Sequence, residues 1–314
     1  MIDYIKAHFK EKQIIENNLL EQNSLYKVTA THNFQNNENE YPLRAKIENL
    51  CVNITDKGGY VQNSLHKHFN ALSGNETQNY DDFHYCELID SLGVLEAELN
   101  YPLKDMILTN LEFGFNIDLG FNPTLFLERN LLMYKLKTPC MNPKNKRKMK
   151  IKKFIYNNYE FKIYDKSLHF DLKNSNPNIL RIEVKYKSKK ELNKFGIFNL
   201  ADLEKPECLK ALFKDFLKKY DDLLIVDSYK GNLNMKPKER QFFTDCTNYQ
   251  HWIELREKHH RNTIYKKIDK LKKLIKKYDL DLWKRDLKDL IELKFKQLIK
   301  SDCFDNFNDY KYVA

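Results

Sequence analysis

Nowhere in the 314 residues is there a run of the roughly 18 uncharged apolar residues needed to span a bilayer. The first stretch, MIDYIKAHFKEKQIIENN, mixes both charge signs through its apolar positions. That composition fits neither a secretory signal nor a transit peptide, and it points to a cytoplasmic protein without a membrane segment. Cysteine pairing signals are also missing. Cys51, Cys86, Cys140, Cys208, Cys246 and Cys303 include no CxxC or CxxxC pair, so the sequence predicts free thiols in a reducing compartment and no structural zinc. Neither an RNP-like aromatic motif nor a GXXG loop occurs, which argues against an RNA-binding module. There is no internal repeat and no sustained heptad pattern.

What is present is enough for a substantial core: 42% hydrophobic residues with 31% charged ones, in a chain long enough for one large domain or two ordinary ones. The net charge of +10 is unevenly spread. Residues 1–100 hold 8 Lys/Arg against 15 Asp/Glu, a balance of −7, so the rest of the chain carries +17. The densest cluster is KNKRKMKIKK at 144–153, and residues 256–300 hold 16 Lys/Arg against 7 Asp/Glu. A basic balance confined to part of a chain is the footprint of a polyanionic partner.

Periodicity predicts an amphipathic helix over 1–20, with Ile5, Phe9, Ile14 and Leu19 on one side. Strands are predicted at 26–34 and 43–55, a turn at DKGG (56–59) and a returning strand at 60–65. A helix follows at 81–99 with Asp81 as N-cap, then a strand at 107–119, and a helix opened by Pro123-Thr124 that runs through Leu136. The basic loop 137–153 leads into FIYNNYEFKIYDKS (154–167), SNPN (175–178) makes a turn, and ILRIEVKYK (179–187) is a strand. Beyond about 204 the pattern is helical, with a linker at 231–241. The expected fold is α+β: a mostly antiparallel sheet with helices packed on one face (1–203), followed by a basic helical C-terminal region (204–314).

Alternation gives three of these strands a polar face. Glu112, Gly114, Asn116 and Asp118 share one side of the 107–119 strand. Arg181, Glu183 and Lys185 do the same on their strand, and Lys162, Tyr164 and Lys166 on theirs. Closely spaced carboxylates repel unless a cation lies between them, and oxygen-only ligands select Mg²⁺ or Mn²⁺. With Glu112, Asp118 and Glu183 as metal ligands, such a surface could polarise a phosphodiester while a phenolate attacks phosphorus. The bland alternative is a set of solvated charges on a half-exposed sheet.

In order and spacing, NSLHKHFNALSGNETQNYDDF, LEFGFNIDL, FIYNNYEFKIYDKS and ILRIEVKYKSKKELNKFGIFNL resemble the replication initiators of filamentous phages. More distantly they are similar to plasmid rolling-circle initiators. The matching motifs are the acidic strand at Glu112, Tyr164-Asp165-Lys166, Arg181-Ile182-Glu183 and KKELNKFGI at 189–197. The resemblance covers about residues 43–203. It implies an endonuclease that nicks one DNA strand through a tyrosine, stays on the 5′ phosphate and rejoins the ends. It also implies that Glu112 and Glu183 bind the metal and that Lys166 lies near the scissile phosphate. Tyr156 best matches the nucleophile's place, Tyr159 comes second, and Tyr164 sits inside the structural motif. Asn157-Asn158 stands where the relatives carry glycine.

Ser64, Lys67 and Asn70 are candidate phosphate or base contacts, and His66 with His68 is a weaker metal pair. Lys146, Arg147, Lys148, Lys150, Lys152 and Lys153, with Arg181 and Lys185, are the expected DNA contacts. Origin duplex, single-stranded DNA and a host helicase are the expected partners, and the oligomeric state stays open. Two further readings are a non-catalytic origin-binding or copy-control protein on the same fold, and a mobilisation relaxase.

Overall fold

The structure is a computed structural model describing residues 1–21, 26–74, 77–140, 151–172, 177–227 and 234–300. Its centre is a nine-stranded sheet in which every neighbouring pair is antiparallel. The strands in chain order are β1 (Ile2–Phe9), β2 (Lys27–Asn33), β3 (Glu38–Ile47), β4 (Leu50–Thr55), β5 (Gly58–Ser64), β6 (Ile107–Asp118), β7 (Leu131–Tyr134), β8 (Ile151–Ile155), β9 (Tyr159–Asp165), β10 (Ile179–Tyr186) and β11 (Leu223–Ile225). The large sheet runs β2-β3-β4-β5-β1-β6-β10-β9-β8, and β7 and β11 form a separate pair.

The N-terminus corrects the sequence expectation. Residues 2–9 form a strand between β5 and β6, and only Lys12–Glu21 (α1) is helical. Ile5 and Phe9 satisfy both a helical and an alternating pattern. Pairing on both sides settles the ambiguity, with Ile5, Ala7 and Phe9 buried and Tyr4, Lys6 and His8 half-exposed. The stretch expected as one helix from Pro123 splits similarly. Helix α4 (Pro123–Arg129) stops at Asn130, and Leu131–Tyr134 pairs with β11 instead. FIYNNYEFKIYDKS is a hairpin, with β8 and β9 joined through Tyr156-Asn157-Asn158.

Local caps fix the other helices. The Ser64 side chain accepts from Lys67 N at the start of α2 (Leu65–Leu72), and α3 (Tyr85–Leu99) starts at His84, not at Asp81. Asp165 caps the short α5 (Lys166–Phe170), and Ser188 caps α6 (Lys189–Asn193). The C-terminal helices are α7 (Pro206–Asp221), α8 (Pro237–Thr247), α9 (Tyr249–Lys258), α10 (Arg261–Lys277) and α11 (Leu282–Leu298).

The apolar face of the sheet is covered by helices. Phe113 and Phe115 on β6 meet Phe216 of α7 and Phe295 of α11, and Phe213 stacks on Phe295 at 3.9 Å. Residues on both sides of position 204 thus share one core. A second cluster, built on Trp252, Phe243, Cys246 and Leu271, joins α8–α10 to Met133 and Val226. Among the described residues no helix is long and apolar enough to cross a membrane. Cys51, Cys140, Cys208 and Cys246 are free thiols, but Cys86 is disulfide-bonded. This corrects the expectation of free thiols throughout, because close sequence spacing reveals only local pairs.

Candidate active site

Strand register builds the site. Tyr164, Arg181 and Asn116 stand side by side across β9, β10 and β6. The next row is Lys162, Glu183 and Gly114, and the third is Glu160, Lys185 and Glu112. The polar face expected from alternation is therefore continuous across three strands. Strand β1 adds Asp3, where its pairing with β6 shifts register between Ile2 and Ile5. Asp3, Glu112 and Glu183 are all buried, with carboxylate oxygens within 4.8 Å of one another.

Cations hold this cluster together. Lys162 Nζ bridges Glu112 (2.9 Å) and Glu183 (2.6 Å). Arg181 Nε donates to Glu183 at 2.8 Å, and its Nη2 lies 3.6 Å from Asp3. Lys185 Nζ stands 3.2 Å from Glu112. Ser64 Oγ and Asn79 Nδ2 (2.7 Å) donate to Asp3, and Asn79 also accepts from Lys166 Nζ at 2.7 Å. Asn79 thus roofs one end of the polar face.

Burial and Glu183 push the Glu112 carboxyl above its ordinary range, against Lys162 and Lys185. Burial would raise Glu183 too, but Lys162 and Arg181 hold it far below. Asp3 is lowered, because Arg181 and Lys166 outweigh its burial. Glu112 is therefore the first of the three to take a proton. Burial, then Arg181, lowers Lys166 to about 7.

The sequence candidates divide between the two faces. Tyr164 lies on the carboxylate side, buried, and its phenol is pushed well up by burial and by Glu183. Lys166 is 1% exposed, with its ammonium 5.8 Å from the Tyr164 ring centroid. Tyr156 and Tyr159 are on the other side. Tyr159 pairs across the sheet with the buried Tyr186, and its hydroxyl meets Tyr134 (2.9 Å) and Lys135 (3.2 Å). Tyr156 stacks on Tyr159 at 4.9 Å and 9°, and its buried hydroxyl has no hydrogen-bond partner. The structure does not bring either phenol to the carboxylates.

Asp118 is likewise apart, exposed at the end of β6 and accepting from Gly120 N at 2.8 Å. Ser64 is buried and spent on Asp3 and the α2 cap, whereas Lys67 is half-exposed. Arg181 is buried within its ion pairs, and Lys185 is half-exposed. Lys153 reaches Glu160 at 2.6 Å, while Lys152 turns to the apolar side, donates to the Leu131 carbonyl and is lowered to about 8 by burial. Lys146, Arg147, Lys148 and Lys150 lie outside the described residues. His66 and His68 sit on α2, stand 2.7 Å from Asp81 and 3.0 Å from Glu98 respectively, and do not converge.

Sequence reasoning missed Asp3 and Tyr4. Tyr4 shares the carboxylate face, with Lys185 Nζ 3.7 Å from its ring centroid and its hydroxyl donating to Gln62 at 3.2 Å. Alternation from Tyr4 to Phe9 was the available signal for Tyr4, whereas Asp3 reaches this face only through the register shift between Ile2 and Ile5.

No protein-family model and no curated protein matches this chain. Among solved structures it is similar to the rolling circle replication initiator protein from Geobacillus stearothermophilus. The identity is 11%, with 79% of this chain and 96% of that chain covered, and the TM-score is 0.41.

Proposed function

We propose that this chain is a DNA replication initiator that nicks and rejoins one DNA strand through a tyrosine, with Mg²⁺ or Mn²⁺, to start rolling-circle copying of a phage or plasmid. The observation that carries this reading is the convergence of Asp3, Glu112 and Glu183 on one sheet face beside Tyr164. That face is built from the strands bearing the Tyr-Asp-Lys and Arg-x-Glu motifs. Three buried carboxylates offer an oxygen-only donor set, which fits a hard divalent cation. When bound, that cation supplies charge at the phosphate oxygens and favours the phenolate form of a nearby tyrosine.

Of the three phenols with motif support, only Tyr164 faces these carboxylates, so the reading assigns it the attack on phosphorus. Its oxygen bonds to the 5′ phosphate and the 3′ oxygen leaves. Lys166 and Lys185 supply positive charge on the same side. Asp165 has an architectural part, capping α5 through Leu168 N (2.8 Å) and accepting from Thr124 Oγ1 (2.7 Å).

One feature favours a non-catalytic origin-binding protein instead. Asp3, Glu112 and Glu183 are already matched by Arg181, Lys162 and Lys185, and such a balanced cluster is stable without a metal. The test is incubation with Mn²⁺ and single-stranded DNA from the protein's own replicon, followed by peptide mass spectrometry. A nucleotide adduct on Tyr164 supports the nickase, and an adduct on Tyr4 moves the nucleophile along the same face. An adduct on Tyr156 or Tyr159 refutes the assignment to this face. No adduct and no cleavage, with salt-sensitive binding intact, selects the origin-binding reading.

A further inference from the structure

The carboxylates occupy only one half of the polar face. On β1, β4 and β5 the same face carries Tyr4, Lys6, His8, Cys51, Asn53, Thr55, Tyr60 and Gln62, and these positions include no Asp or Glu. They are half-exposed, while the alternate residues are buried under helices. Cations and rings alternate along this half. Lys185 Nζ lies 3.7 Å from the Tyr4 ring centroid, Lys6 Nζ 3.8 Å from that of Tyr60, and the His8 ring 5.4 Å beyond Tyr60. The row ends in a notch of about 380 Å³ between His8, Tyr60, Ile107 and the backbone of Gly58 and Gly59, with Lys10 and Lys57 at its rim.

We propose that a single strand of DNA leaves the carboxylate site along β1 and β5, with its bases against Tyr4 and Tyr60 and its phosphates near Lys6. The terminal notch takes one unpaired base. The inference rests on the nickase or origin-binding reading above, since it needs DNA as the partner, and it adds the path of the strand across the sheet and the residues that hold it.

Three arguments favour this occupant. Basic grooves interleaved with aromatic rings suit single-stranded nucleic acid, because every base has a face to stack and every linkage a charge. A duplex keeps its bases stacked on each other and has no use for the rings. The notch is apolar inside and cationic at its rim, which matches a base with its phosphate outside. From Tyr4 to His8 the track runs about 13 Å at roughly 3.3 Å per residue, long enough for more than one nucleotide.

The experiment is fluorescence anisotropy of a labelled oligothymidine of about a dozen nucleotides on the full chain, across a salt series without divalent metal. Tyr60→Leu should weaken binding by about five- to a hundredfold and leave the salt slope unchanged. Lys6→Gln should weaken it and flatten the slope by about 0.7. Two different signatures protect the test against a variant that merely folds poorly. Wild-type affinity in both variants overturns the track but not the proposed function. Preference for a duplex or for the matching oligouridine overturns the occupant. Failure of the wild-type chain to bind any DNA overturns both the track and the reading on which it rests.

Discussion

Tyr159 and Tyr164 are five residues apart on β9 and stand on opposite faces of the sheet, Tyr159 beside Tyr186 and Tyr164 beside Arg181. An odd separation on a strand separates the side chains in this way. The two phenols therefore predict different mutant behaviour. Tyr159→Phe removes contacts with Tyr134 and Lys135 and should lower unfolding stability by about 1 kcal/mol. Covalent attachment to DNA should be unchanged. Tyr164→Phe should abolish attachment while stability stays within about 1 kcal/mol of wild type. Denaturant unfolding and a gel assay for the protein–DNA adduct, run on both variants, check the pair.

Lys162 is the internal counterion of the carboxylate cluster. In Lys162→Met, Glu112 and Glu183 lose their shared partner, and breaking a buried ion pair of this kind costs about 3–5 kcal/mol. A divalent cation among the carboxylates replaces that lost charge. Mn²⁺ should therefore raise the melting temperature of Lys162→Met more than that of wild type, and adding Glu112→Gln should remove the difference. Thermal shifts with and without Mn²⁺ measure it. Equal responses in all three proteins would show that the carboxylates hold no metal.

Strand register explains how much of this was legible in the sequence. Alternation alone put Glu112, Glu183 and Tyr164 on polar faces, and antiparallel pairing of β9, β10 and β6 made those faces one surface. Asp3 was hidden because Ile5 and Phe9 satisfy two periods at once, and only the flanking strands choose between them. Motif order put Tyr156 ahead of Tyr164, but a motif fixes position along the chain and not the side of the sheet. The three-residue hairpin turn sends Tyr156 to the side of Tyr134. The partners of Ser64 and Arg181 were equally invisible, since Ser64 donates to Asp3 on β1 and Arg181 to Asn116 on β6, each on a strand distant in sequence.

Asp202 gives a pH dependence remote from the cluster. Its carboxylate accepts from Phe198 N (2.8 Å), Asn199 N (3.1 Å) and Lys205 Nζ (2.7 Å). Burial would raise its pKa, but these donors, Lys205 first, hold it below the ordinary 3.8. A depressed carboxyl contributes stability above its unfolded pKa and loses it as pH falls through the folded value. Asp202→Asn should therefore lose about 1–2 kcal/mol at pH 7. Its deficit against wild type should shrink once the pH drops below 3.8. Urea denaturation across that range is the measurement, and a deficit that does not change with pH would refute the assignment.

Gly114 marks the tightest approach of β6 to β10. A Cβ there would lie 2.4 Å from the Ile182 carbonyl oxygen, 2.5 Å from Glu183 Cβ and 2.6 Å from Glu183 Cα. No rotamer change relieves contacts with backbone atoms, so alanine must push the two strands apart. Overpacking of this kind costs typically 1–3 kcal/mol, and Gly114→Ala should fall at the upper end because two backbone contacts fail together. The strained partner is Glu183, whose carboxylate is held at 2.6–2.8 Å by Lys162 and Arg181. The variant should therefore lose the Mn²⁺-dependent thermal shift as well as stability. Asp202→Asn separates the two effects, being destabilised at a site far from the carboxylates, and it should keep its Mn²⁺ response. If Gly114→Ala also keeps its response, the spacing of β6 and β10 does not set the geometry of the carboxylate cluster, and the glycine serves packing alone.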